Sequence, residues 1–257
     1  MATLARIGLT PLKGTALHHP TAVRLTEAGI AANRRFHLVD ERGALFTSEG
    51  HGPLVRVVAT FDPAAETLRL ELPDGRVIGD RADGLGGPVV TDFYGRPVAG
   101  RLVDGPFAAA LSAYIGRPVR LVRTDREGDG SDVHRLTLIS SASVRELGTR
   151  SGRPDLDARR FRMDLELGGC APFEEDAWAG RQVRVGAAVV MVLGPVPRCV
   201  VTTRDPTSGL KDFDTLKRIA EFRPLMTDPR GVPFGMYAEV VRPGLVRVGD
   251  DVGPLLG

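Results

Sequence analysis

Leu68-Arg69-Leu70-Glu71-Leu72-Pro73-Asp74-Gly75-Arg76-Val77-Ile78 reads as two short runs joined by a Pro-Asp-Gly bend. That is a hairpin signal, because proline presets φ for a turn and glycine accepts the positive φ that follows. Upstream, Phe36-His37-Leu38-Val39 and Ala44-Leu45-Phe46 flank Asp40-Glu41-Arg42-Gly43, a second hairpin with glycine in the bend. Val89 to Asp92, Val98 to Val103 and the strongly apolar Ala187 to Leu193 supply further strands, and Gly79 to Gly87 reads as a surface loop. Helices are few. Pro106 to Ile115 has apolar residues at helical spacing and ends at Gly116; Ser143 to Leu147 is stopped by Gly148, with Ser140 or Ser141 as N-cap; Thr215 to Phe222 is the third. Short strands with turn signals at close spacing predict a mainly β, barrel-rich fold with a few short helices. Residues 124–134, acidic, polar and glycine-bearing, read as a flexible connection or lid between two halves.

The chain of 257 residues is 42% hydrophobic, enough to bury a core without disulfide or metal staples. Its formal net charge of +2 gives no field that points to nucleic acid or a membrane surface. Lys13, Lys211 and Lys217 are the only lysines, so the positive charge is carried almost wholly by arginine, the side chain suited to bidentate binding of phosphate or carboxylate. No run approaches the roughly 18 apolar residues that span a bilayer, and Met1 to Gly14 lacks the apolar core and cleavage site of a signal peptide. A reducing cytoplasm is the expected compartment. Two cysteines, Cys170 and Cys199, leave one disulfide open as an alternative. Phosphate-loop, dinucleotide, zinc-protease, CxxC and GxSxG motifs are absent, and the five histidines lack metal-ligand spacing.

The most informative stretch is Gly194-Pro195-Val196-Pro197-Arg198-Cys199-Val200-Val201-Thr202-Thr203-Arg204-Asp205-Pro206. Two prolines stiffen the approach to the cysteine. Arg198 and Arg204 flank a thiol, and nearby guanidinium groups favour the thiolate, the form that ligates metals or attacks electrophiles. Thr202, Thr203 and Asp205 offer supporting hydrogen bonds. The commonest fate of a free cysteine is a small buried hydrophobe, and these residues alone leave both readings open.

Pro195 to Gly209 resembles the cysteine segment of MOSC-domain proteins, in which a cysteine followed by Thr-Thr and Asp-Pro binds molybdenum. Asp157 to Trp178 is similar to the family's Arg-Phe-Arg-Pro-Asn strand with its downstream Glu-Asp-x-Trp. Leu9 to Gly14 resembles Tyr-Pro-x-Lys-Ser, Asn33 to Asp40 resembles Asp-Arg-x-Phe, and Phe234 to Val252 resembles the closing strands. The matches run in order through nearly the whole chain. Three departures stand out: Thr10 replaces the tyrosine, Gly14 replaces the serine after the lysine, and Met163-Asp164 replaces Pro-Asn.

The resemblance implies a β-rich N-terminal domain over residues 1–120 packed on a MOSC β-barrel domain over 121–257, with molybdenum cofactor held between them. It implies an oxidoreductase that reduces N-hydroxylated or N-oxide-type small molecules, as amidoxime-reducing components do. The alternative is a cofactor carrier or sulfurase-like protein with no reductase turnover. Cys199 is expected as catalytic residue and metal ligand, with Lys13, Arg35, Arg162, Asp164, Arg198, Thr202 and Tyr237 binding the cofactor. Phe161 to Leu167 alternates strictly, so Arg162, Asp164 and Glu166 should share one strand face, with Arg162 aimed at the cofactor. Lys13 and Arg35 would hold phosphate or pterin oxygens, although each reads equally as a surface cation. Tyr237 and Trp178 read first as packing aromatics, and Cys170 as structural. Electrons would come from a separate ferredoxin-, flavin- or cytochrome-type protein. Nucleic acid, membrane and pyridoxal phosphate are not expected.

Overall fold

The structure, a computed structural model, describes residues 1–224 and 231–255. Strand β1 (Ala2–Ile7) opens the chain, and β2 (Ala22–Thr26) and β3 (Gly29–Ile30) form a small hairpin. β4 (Phe36–Val39) pairs with β5 (Leu45–Phe46), and β6 (Val58–Asp62), β7 (Thr67–Glu71) and β8 (Val77–Arg81) make a meander. β9 (Leu85–Phe93) and β10 (Arg96–Val103) follow, then helix α1 (Phe107–Ile115) and β11 (Arg120–Thr124). The second half holds β12 (Leu136–Ser140), α2 (Ser141–Arg150), β13 (Leu165–Gly168), β14 (Gln182–Val185), β15 (Ala188–Arg198), α3 (Thr215–Ala220), β16 (Val232–Arg242), β17 (Gly244–Arg247) and β18 (Asp251–Pro254).

Seven strands close a barrel in the order β1-β13-β12-β16-β15-β14-β18, which removes the sheet edges. Leu4, Ile7, Leu138, Leu165, Val190 and Val252 are among its buried apolar residues. β12 and β13 are parallel neighbours, so the chain between them must cross over, and α2 with the coil after it supplies that crossover. A second core, including Phe36, Leu38, Leu70, Phe107 and Leu121, lies under the five-stranded sheet β5-β4-β11-β10-β9 and the meander. A third core joins α2 and α3 to the barrel around Leu147, Phe161, Ile219 and Phe234.

Both expected hairpins form where turn chemistry is local. The Asp40 carboxylate accepts from the Arg42 and Ala44 amides, and Gly75 takes φ 86° as its amide donates to Leu72 O. α1 ends at Gly116 in the left-handed region, as its sequence predicts. α2 is capped by Ser140 Oγ, which accepts from the Ala142 amide at 3.1 Å, but it runs on to Arg150. Gly148 does not stop it; the glycine lets the Arg153 carbonyl approach the helix.

Other expectations are corrected. Gly79 to Gly87 is not a loop throughout, since it contains the end of β8 and the start of β9. Phe161 to Leu167 is not one strand: a 3-10 turn spans Ala158–Phe161 and Arg162 takes φ 53° before β13 begins. Strands are shared across residue 120: β1 completes the barrel, β2 pairs with β17, and β11 belongs to the first half's sheet. Residues 128–131 are tied down rather than lid-like: Arg96 Nη2 donates to Asp129 O (2.8 Å) and Ser131 O (2.5 Å), and Lys13 Nζ to Gly130 O (3.0 Å). Cys170 and Cys199 are both free, the first buried and the second exposed.

Candidate functional site

The coil after β1 runs beside β4. Lys13 N donates to Phe36 O, Phe36 N to Pro11 O and Arg34 N to Thr10 O, which sets Lys13 and Arg34 side by side. Lys13 is 6% exposed; its ammonium bonds Gly130 O and pairs with Asp132 at 2.5 Å, over the Phe93 ring. Burial pushes the Lys13 ammonium below its ordinary range, opposed by Asp132 and reinforced by Arg34 and Arg162. The protein crowded around Asp132 disfavours its charge although half the side chain meets solvent, but Lys13, Arg34 and Arg162 outweigh it and hold that carboxyl below its usual range.

Arg162 arrives from the opposite half. Its left-handed φ of 53° turns it off the approach to β13, and Nη2 donates to Thr15 O at 2.7 Å. Burial and the neighbouring Arg34 bring its guanidinium down to about 10, so it stays protonated at neutral pH. Arg34 is fixed by Asp164: Nη1 donates to Oδ1 at 2.8 Å, and Nη2 donates to Arg162 O at 3.2 Å.

Asp164 is 1% exposed and fully engaged. Oδ1 also accepts from Asn33 Nδ2 (2.9 Å), while Oδ2 accepts from the Thr137 amide (2.9 Å) and hydroxyl (2.7 Å). Both of its carboxylate oxygens are thus spent on holding Asn33, Arg34 and Thr137 in place. The amide that Asp164 displaces from its motif is supplied by Asn33, at the place where the resembling motif has aspartate.

Cys199 follows β15 and opens a 3-10 turn, Val200–Thr203, on the exposed surface. One side is open to solvent, yet the protein crowded around the thiol pushes it above the usual thiol range. The Val201 N–H favours the thiolate, Glu49 and Asp132 oppose it, and Arg198 favours it too weakly to reverse the balance. This overturns the expectation that the flanking arginines ionise the thiol. Arg198 points inward, donating to Phe234 O (2.7 Å), Phe161 O (3.0 Å) and Met163 Sδ (2.6 Å). Arg204 bonds Gly209 O and Glu49 O.

Thr202 also serves the turn. Its hydroxyl donates to Cys199 O at 3.0 Å, and its carbonyl is held by Arg160 Nη1 (3.0 Å) and Thr215 Oγ1 (2.6 Å). Arg160, one of the largest fully buried side chains, pairs with Asp212 and thereby anchors this turn. Arg35 is bonded to Thr124 O and Oγ1 and does not join Lys13 and Arg162; Arg34 does. Tyr237 is buried, packs on His134 at 5.0 Å, and its phenol lies within electrostatic reach of Arg34 and Arg198. Trp178 is a core residue, as read.

The structure thus brings together Lys13, Arg162, Tyr237 and Cys199 from the expected set, and adds Arg34 and Asp132. Glu49 and Tyr94 also adjoin the thiol, and the Tyr94 hydroxyl donates to Glu49 at 3.4 Å. The Asp-Arg-x-Phe pattern marks Arg34, since Arg34 occupies the motif's arginine position; nothing local marks Asp132. A largely buried group of cations suits an anionic oxygen ligand, and an open thiol near it suits a soft metal. Among the described residues, no three His, Cys, Asp or Glu side chains converge as a metal-binding group, so a metal at Cys199 needs further ligands from a bound molecule.

The profile of the MOSC domain matches residues 125–253. Mitochondrial amidoxime-reducing component 1 of Mus musculus is 32% identical, over 98% of this chain and 82% of its own length. Mitochondrial amidoxime reducing component 2 of Rattus norvegicus is 26% identical over 98% of this chain and 83% of its own. Molybdenum cofactor sulfurase of Oryza sativa subsp. japonica is 27% identical over 77% of this chain but only 28% of that protein. Among solved structures, the YUAD protein from Bacillus subtilis covers 98% of this chain and 94% of its own at 11% identity, with a TM-score of 0.45. No described helix is long and apolar enough to cross a membrane.

Proposed function

The chain belongs to the MOSC-domain family, and from that premise we propose that it is a molybdenum-cofactor-dependent reductase of N-hydroxylated or N-oxide-type small molecules. One observation carries this reading: an exposed cysteine thiol lies within electrostatic reach of Asp132, a carboxylate that gathers the cations Lys13, Arg34 and Arg162 from both halves of the chain. The fit to a phosphate-bearing pterin dithiolene is good in donor type. Lys13, Arg34 and Arg162 would hold its anionic oxygens, and Cys199 would bind its metal. When bound, the cofactor supplies the two-electron chemistry by which an N-hydroxyl substrate, two electrons and two protons become the amine and water.

The chain's own groups do the positioning. Asp164 fixes Arg34 from behind, and Gly130 O orients the Lys13 ammonium. Arg160 and Thr215 hold the Thr202 carbonyl and so the turn that presents Cys199. Because the Cys199 thiol is pushed up, ligation must release a proton, so metal affinity should rise with pH. Electrons would come from a separate donor protein of ferredoxin, flavin or cytochrome type. A carrier or sulfurase-like role would use the same residues. The reductase reading is favoured because this chain covers most of the amidoxime-reducing relative and a small part of the sulfurase.

Holoprotein made under cofactor-producing conditions should contain molybdenum and reduce an N-hydroxyamidine with an artificial electron donor. Cys199→Ser should lose both properties. A serine variant that keeps metal and turnover removes the assignment, and metal without turnover in the native protein leaves the carrier.

A further inference from the structure

Two carboxylates serve the cation group of Lys13, Arg34 and Arg162, and they are held in opposite ways. Asp164 is buried and saturated by Asn33, Arg34 and Thr137. Asp132 sits on the connecting loop with its side chain 53% exposed, and its ion pair is with the nearly buried Lys13. Arg34, Arg162 and, behind them, Arg198 also act on Asp132. The Lys13 ammonium has three donors: one is fixed on Gly130 O and one is taken by Asp132. Arg34 is committed to Asp164 and to a backbone carbonyl. An anion that is to take more than the one remaining ammonium donor therefore has to displace the carboxylate already there.

We infer that Asp132 is a displaceable counter-ion, which holds Lys13 until a dianionic oxygen group of the phosphate-monoester class takes its place. The loop residue can leave at little cost, because the half-exposed carboxylate regains water as it goes, whereas Asp164 cannot. A monoanion exchanged for a carboxylate gains nothing in charge, while a dianion does. Asp132 is thus a specificity-determining residue for the anion, and its removal should help any anion that had to displace it. The identity of the natural ligand rests on the cofactor reading, but the displacement itself does not.

The test is calorimetric titration of cofactor-free protein with methyl phosphate and with dimethyl phosphate at about pH 8, where the first is a dianion and the second a monoanion. Displacement predicts that native protein binds methyl phosphate the more tightly. It also predicts that Asp132→Asn tightens both esters by the same factor, about fivefold for a half-exposed pair. Through-space repulsion without displacement would instead make the dianion's gain about the square of the monoanion's, because the energy scales with ligand charge. That pattern, or no gain in Asp132→Asn, overturns the proposal and leaves the cofactor reading standing. Binding of neither ester to either protein overturns both.

Discussion

The two walls of the proposed site are built on opposite physical terms. On one wall Thr10, Asn33, Arg34 and Asp164 are joined by side-chain hydrogen bonds in a buried layer, with every Asp164 oxygen engaged. On the other, Cys199 is exposed on a short turn whose anchors, Arg160 and Thr215, reach backbone carbonyls rather than the thiol. The first wall holds cations in fixed positions against their own repulsion, so on the proposed reading its stability and its function are one quantity. The second must keep a reactive atom open, so the two separate there.

Removing Asp164 tests the coupled wall most severely. Asp164→Ala leaves Arg34, Asn33 and Thr137 with buried donors and no acceptor, and should cost about 4 kcal/mol in chemical unfolding. A cost under about 1 kcal/mol would mean that water already serves those donors. The Asn33–Asp164 pair sharpens the point, since the carboxylate and the amide stand exchanged relative to the resembling motifs. Asp164→Asn alone should destabilise by about 2 kcal/mol, and adding Asn33→Asp should recover roughly half of it. A double variant no more stable than the single one would deny that the exchange is compensatory.

His37 tests the same wall by titration. It is fully buried, Nε2 meets Thr91 Oγ1 at 2.9 Å, and burial followed by the charge of Lys13 lowers its imidazole to about 3. The folded protein thus keeps it neutral, while the unfolded chain protonates it near its ordinary value. The associated stability is present above about pH 6.5 and is lost as pH falls toward 3, amounting to about 3 kcal/mol by pH 4. His37→Gln, which keeps a polar group for Thr91, should flatten that part of the pH–stability curve. An unchanged slope would place the acid sensitivity elsewhere.

What could be read from the residues follows the same division between local and distant causes. The Asp40–Gly43 and Pro73–Gly75 bends, the Gly116 stop and the Ser140 cap are decided within a few residues, and each forms. Closure of the barrel by β1 depends on pairing with β13, whose residues lie far along the chain, and no periodicity in Ala2–Ile7 announces it. Strict alternation misled at Arg162, because one left-handed residue ends the regular spacing before the strand begins. Adjacency misled at Arg198: neighbours on a strand point to opposite faces, so the arginine beside Cys199 is the one that turns into the core. Lys13 and Cys199 were singled out by motif order, and Arg34 is marked by its place in the Asp-Arg-x-Phe pattern. Asp132 was not, since its role exists only once the loop is laid between the halves.

The cysteine wall should respond least in stability and most selectively in chemistry. Cys199 is exposed and its side chain supports no core cluster, so Cys199→Ser should change unfolding free energy by no more than about 0.5 kcal/mol. Its thiol should titrate above the ordinary range, read as the pH midpoint of alkylation by iodoacetamide in cofactor-free protein. Crowding by protein accounts for the largest part of that shift and no surface substitution removes it. Glu49 adds a part that can be removed, so Glu49→Gln should move the midpoint down by a fraction of a unit. A midpoint already at or below the ordinary thiol value would return the arginine-activated thiolate that the sequence suggests, and with it a wall whose chemistry is set by neighbouring charge rather than by exposure.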